Sequence, residues 1–274
     1  MSNPVLNERT MRQAPTMWAS PEPTTDHFPP PSTDGPVSPW NRQVMTVSGT
    51  ISATATLLVL LLVSASIGWW QTKTVDFDDG TSAVAGIPAL AWVGLVVGIG
   101  LVFLLMFKPH LAKFLAPVYA LAQGFFVGAI SKAYETYYDG IVVQAAGATV
   151  AVFTVMLVLY RTQIIKVTER FRRIVVTATI GVMLFYGVSL LIRLFAGPDS
   201  ISFLSSPSLL GIGFSIFVAG LAAFNLALDF DFIEKGAKQQ LDKNFEWFAA
   251  FGLLVTIIWL YLELLRLLSK LRER

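Results

Sequence analysis

Seven stretches of this chain run almost without charge for the roughly 20 residues that an α-helix, rising about 1.5 Å per residue, needs to cross a hydrocarbon core about 30 Å thick. They extend approximately over Met45–Trp70, Val84–Phe107, Phe114–Tyr134, Ile141–Tyr160, Ile174–Phe195, Leu209–Leu228 and Phe245–Leu268. Turn formers punctuate them: the acidic run Asp76 to Gly80, Lys108-Pro109-His110, Asp139-Gly140, and Gly197-Pro198-Asp199 through Pro207. A soluble helical bundle would carry a polar stripe at helical period on most of its segments, and these carry almost none. Only 14% of the residues are charged, against roughly 25% in a soluble domain, so polar side chains are too few to coat a globule. The sequence predicts an all-α, polytopic membrane protein, a seven-transmembrane-helix bundle over residues 44–274 whose first partner is the lipid bilayer.

Residues 1–43 are rich in Pro, Ser and Thr and show no apolar periodicity, which predicts a disordered tail. They lack the basic and apolar regions of a secretory signal. Lys and Arg set the expected orientation, because basic residues near the spans stay in the cytoplasm. Arg9, Arg12, Arg42, Lys108, Lys113, Arg161, Lys166, Arg170, Arg172, Arg173, Lys235, Lys238 and Lys243 fall on one side. Lys73, Lys132, Arg193, Arg266, Lys270, Arg272 and Arg274 fall on the other, so the N-terminus is expected in the cytoplasm. The basic C-terminal end works against that balance, and a last helix that crosses fully is favoured on its length.

A net charge of +2 provides no basic field for nucleic acid. The absence of cysteine removes disulfides, thiolate metal sites and a cysteine nucleophile, and His27 and His110 stand alone, without a second ligand at zinc spacing. No paired-aspartate protease motif, His-Glu-x-x-His run or serine with a histidine partner occurs in the spans, so neither an enzyme nor a resident cofactor is expected.

Ionisable side chains at membrane depth are costly enough to be functional candidates. Those present are Asp229 and Asp231 at the end of the sixth span, Glu246 at the start of the seventh and Glu263 far along it. Two structural alternatives stand beside them: Asp229 and Asp231 as a solvated helix end, and Glu263 with Arg266 as an i,i+3 ion pair at the far interface. Gln123, Ser131, Gln144 and Thr149 suit hydrogen bonds between helices, while Gly94/Gly98 and Gly124/Gly128 form small-xxx-small pairs that let backbones approach.

The third span from Tyr119 through Gly124 and Gly128 to Ser131, continuing by Tyr134 and Glu135 to Gly140 and Ala145, resembles the bacterial branch of the Bax inhibitor-1/YccA family, also called transmembrane BAX inhibitor motif proteins. So does Asp229 through Ile233 to Gly236, followed by Leu260 to Glu263. The resemblance covers nearly everything after residue 44. It implies a multi-pass protein of the bacterial plasma (inner) membrane, with the last helix central and acids of the sixth and seventh helices acting as a pH sensor over a calcium leak. Asp229 and Glu263 would be those acids, the seat of a shared proton and of any calcium ion, which prefers oxygen ligands. Glu263 stands where the family carries aspartate, and Gln123 where it carries glutamate. A hairpin turn near residue 241 would leave Glu263 about 15 Å further from the turn than Asp229. A turn nearer Glu246 would restore the level, and Glu246 itself competes as partner if Asp231 is the acid that matters. The family's YccA members suggest an alternative function, a non-conducting regulator that binds a membrane protease through the tail. The same few acids would also serve a proton-coupled transporter.

Overall fold

The computed structural model describes residues 44–77, 82–197 and 207–274. The expected disordered tail, most of the acidic run after Asp76 and the stretch from Pro198 to Ser206 lie outside these. Seven helices long and apolar enough to cross a membrane follow one another. They are α1 (Val47–Gln71), α2 (Ala89–Phe107), α3 (Ala112–Tyr137), α4 (Ile141–Arg161), α5 (Glu169–Ala196), α6 (Leu209–Lys238) and α7 (Asn244–Arg272). Between α1 and α2 the chain forms a short antiparallel hairpin, β1 (Lys73–Asp76) against β2 (Ser82–Gly86). The second span therefore starts later than the apolar run that begins at Val84, because the first residues of that run pair as a strand and Pro88 opens the helix.

Local chemistry sets several of the ends. Thr46, Thr168 and Ser208 cap α1, α5 and α6 by accepting from the backbone N–H three residues on. Gly140 takes the left-handed conformation (φ 73°) before α4, and the Glu135 carboxylate there accepts from the N–H groups of Gly140 (2.7 Å) and Val142 (3.0 Å). Large apolar side chains such as Leu62, Val96, Met106, Val143 and Leu210 cover the outside, as lipid exposure requires.

The last helix is the hub: α7 packs against α1, α3, α4 and α6, while α5 stands at the edge against α6. α1 and α3 approach each other through small residues. A Cβ added at Gly68, Gly124 or Gly128 would collide with the backbone at Phe125, Leu61 or Ala65, and one at Gly94 with that at Ala122 on the α2–α3 contact. Both small-xxx-small pairs are thus packing devices. The start of the described chain is stitched to the α6–α7 turn, where Met45 N donates to Leu241 O (2.6 Å).

Candidate functional site

α6 continues ten residues past the expected end of the sixth span, to Lys238, so Asp229 and Asp231 lie within the helix and are no solvated terminus. Four candidate acids occupy four different seats. Glu246, buried, accepts from Thr46 N (2.9 Å) and Thr46 Oγ1 (2.8 Å), extending the cap of α1. It faces the start of α1 and pairs with neither Asp231 nor Asp229. Asp231 is buried and accepts through Oδ2 from Arg172 Nη2 (3.1 Å) and Lys235 Nζ (2.8 Å). Glu263, only 2% exposed, accepts through Oε1 from Tyr186 Oη (2.9 Å) and Arg266 Nη1 (2.9 Å). The i,i+3 pair with Arg266 forms, but it is drawn inward to α5 by Tyr186, to which Arg266 also donates (2.9 Å).

Asp229 faces α7 at a different level. Its Oδ1 lies 3.8 Å from where a Cβ on Gly252 would stand, one turn before Thr256, whose hydroxyl donates to Gly252 O (3.2 Å). Counted from the α6–α7 turn, Gly252 is as far along α7 as Asp229 is along α6, as expected for a turn near residue 241. Glu263 then lies about 10 Å beyond Thr256 along the axis. The structure does not bring the two carboxyls together, and the shared proton and joint calcium site implied by the resemblance have no common seat. Among the described residues, no cluster of three or more His, Asp or Glu side chains is placed to hold a metal ion.

What joins the two acids is a seam. Gly252, Thr256, Trp259, Glu263, Arg266 and Lys270 recur at i, i+4, i+7, i+11, i+14 and i+18, one face of α7. From Gly252 to Lys270 that face covers about 27 Å, nearly the whole hydrocarbon thickness. It is lined from α5 and α6 by Asp229, Tyr186 and, at the far end, Ser215, whose Oγ accepts from the buried Lys270 Nζ at 2.9 Å. The Gly211 carbonyl accepts from the same ammonium at 3.0 Å. Three buried side-chain atoms lack a hydrogen-bond partner among the described residues: Asp229 Oδ2, Trp259 Nε1 and Glu263 Oε2. All three belong to this seam. Buried polar atoms are ordinarily paired, so three orphans gathered where α6 and α7 meet single out this seam as the candidate site.

Beside Asp229 a cavity of about 390 Å³ is lined by Arg172, Asn225, Phe232, Phe248 and Gly252. Asn225 donates to Thr179 Oγ1 (2.8 Å), tying α6 to α5 just above it. Arg172, 41% exposed, thus borders both Asp231 and the Asp229 chamber. Sequence reasoning missed Arg172, Tyr186, Trp259 and Lys270. For the last two the signal was present as the spacing from Thr256 to Lys270, whereas nothing local announces that Arg172 and Tyr186 reach across from α5.

The remaining polar candidates divide. Ser131 Oγ bonds Tyr261 Oη between α3 and α7 (2.6 Å), and Gln144 Oε1 accepts from Arg272 Nη2 (3.0 Å). Thr149 instead donates to Ala145 O of its own helix (2.7 Å), and the Gln123 side chain packs over Gly98.

Seven spans around a buried polar seam define a multi-pass helical membrane protein with ionisable groups held in its core. Over residues 3–273 the chain matches the family model described as Bax inhibitor 1 like, and it belongs to that family. Comparison with curated proteins gives no match.

Proposed function

We propose that this protein is a pH-sensitive, calcium-permeable leak or cation exchanger of the bacterial plasma membrane, gated by protonation of carboxylates along the α6–α7 seam, and that it is not an enzyme. The observation that carries the reading is the line of three sealed, unpartnered polar atoms between Asp229 and Glu263. An ionised carboxylate with one oxygen cut off from donors is expensive, and a bound proton removes the charge. Release of the Asp229 proton therefore favours arrangements of α6 and α7 that hydrate the chamber or admit a hard cation to the free oxygen. Arg172, bonded to Asp231 and lining the same chamber, is the cation placed to respond when Asp229 becomes charged. The two acids act in series along the seam, Asp229 as the gate and Glu263 as a relay further on. The reading takes the N-terminus as cytoplasmic, on the distribution of Lys and Arg.

Calcium flux into proteoliposomes of the purified protein, followed across a pH series, tests this. Asp229→Asn fixes the chamber in its uncharged state, so flux no longer varies with pH and stays at the value that the unaltered protein reaches at low pH. Glu263→Gln lowers flux at every pH but leaves the pH midpoint where it was. An unchanged pH profile in Asp229→Asn overturns the assignment of the gate.

A further inference from the structure

A second, larger cavity lies away from the seam, between α1, α4, α6 and α7, with a volume of about 690 Å³. This is within the roughly 300–1,000 Å³ typical of small-molecule sites. Its chemistry is graded. The apolar part is lined by Ala55, Leu58, Phe153, Leu157, Phe230 and Leu253, of which Ala55 and Leu157 are exposed, so the slot opens sideways to lipid. Thr50 and Thr54 also face it, yet each hydroxyl donates to the carbonyl four residues back in its own helix, at 2.9 and 2.8 Å, so neither asks for a polar ligand. Polar groups gather at one end only, where Arg161, Gln163, Tyr160 and Glu234 form the mouth. From Val47 at the mouth to Leu58 the slot runs about 16 Å along α1, close to half of a core about 30 Å thick.

We propose that this slot is a binding site for one anionic phospholipid, with an acyl chain in the apolar part and the phosphate at Arg161. An apolar slot one leaflet deep, with an exposed guanidinium at its mouth beside an acid that is already paired, matches the shape and polarity of such a lipid. Arg161 is exposed and makes no ion pair among the described residues. The acid at the same mouth is already engaged: Glu234 accepts from Tyr160 Oη (2.6 Å) and from Lys238. Lys238 and Tyr160 hold that carboxylate directly, and Arg161, though close enough to feel its charge, makes no hydrogen bond to it among the described residues and keeps its donors for an outside anion. Lys166 on the loop after α4 adds a second positive charge at the same end of the bundle. Basic pockets between transmembrane helices at the membrane surface recognise anionic headgroups by this combination of charge and adjoining apolar wall.

The test reconstitutes the full-length protein in bilayers of equal phosphatidylglycerol and phosphatidylcholine, extracts it in mild detergent and counts retained lipids by native mass spectrometry. One phosphatidylglycerol is retained in preference to phosphatidylcholine. Arg161→Ala reduces that preference about fivefold, the weight of one basic side chain at an anionic surface, and Arg161→Lys restores most of it. Ala55→Phe fills the slot and lowers retention of both lipids, while the elution profile and unfolding temperature of each variant stay those of the unaltered protein. A photo-reactive side chain at Leu58 attaches to phospholipid. Equal retention of the two lipids, or retention indifferent to both Arg161→Ala and Ala55→Phe, overturns the proposal. So does attachment from Leu58 to residues 1–43 or to a second copy of the chain, which would name a different occupant.

Discussion

The contact of α1 with α3 and the junction of α5, α6 and α7 hold helices together by different means, and the difference separates scaffold from working part. In the first, glycines let backbones touch: Gly124 and Gly128 of α3 lie against Leu61 and Ala65 of α1, with no room for a methyl group. In the second, side chains fill the interface: Val175 and Val182 of α5 pack on Val218 and Leu221 of α6, and hydrogen bonds through Tyr186 and Asn225 cross it, while Gly181, Gly187 and Gly213 face outward. Close backbone packing in lipid is permanent, since van der Waals contact is its main source of attraction and is lost at small separations. A junction of hydrogen bonds, ion pairs and cavities has more than one way to satisfy its polar groups, which a switch requires.

The largest expected effect sets the two regions against each other. Gly128→Ala drives a methyl group into the Ala65 backbone and costs about 2 to 3 kcal/mol, whereas Gly213→Ala, on the outward face of α6, costs nothing and gains up to about 1 kcal/mol from helix preference. Unfolding in mixed micelles measures both, and equal costs would show that close backbone contact does not hold α1 to α3. A smaller effect probes the junction itself. Glu263→Ala combined with Tyr186→Phe gives a coupling of about 1 kcal/mol in a double-mutant cycle, in the range of interhelical hydrogen bonds in membranes. Additive single variants would mean that the Tyr186–Glu263 bond does not hold α5 to α7.

How far each region could be read from the sequence follows the same division. The seven spans follow from length and hydropathy alone, and glycines four apart in an apolar run suggest close backbone approach, but the spacing does not say that α1 is the partner of α3 or that Gly68 joins the contact. The seam depends on register between distant helices, which residue spacing does not encode. Asp229 and Asp231 were expected at a helix end because apolar density falls after Leu228, yet the helix continues because Phe230 and Ile233 keep an apolar face packed as far as Gly236. The distance between Asp229 and Glu263 was readable once the turn was placed near residue 241, since helical rise fixes the levels. The role of Glu246 was not, because its partner, Thr46, lies 200 residues away in sequence.

The smallest expected change in stability sharpens the comparison most, because it separates packing from gating at a single atom. Gly252 sits opposite Asp229, and a Cβ there would stand 3.8 Å from Oδ1, an ordinary contact. Alanine also favours the helix over glycine by about 1 kcal/mol, so Gly252→Ala should leave unfolding unchanged or slightly improved. The added methyl group nevertheless takes up space in the chamber that Gly252 and Asp229 both line. If Asp229 gates the seam, calcium flux in Gly252→Ala falls and its pH midpoint moves, because solvating the charged form becomes harder while the neutral form loses little. A variant as stable as the unaltered protein with the same midpoint would show that the space beside Gly252 is packing slack, and that the titrating group lies elsewhere on the seam.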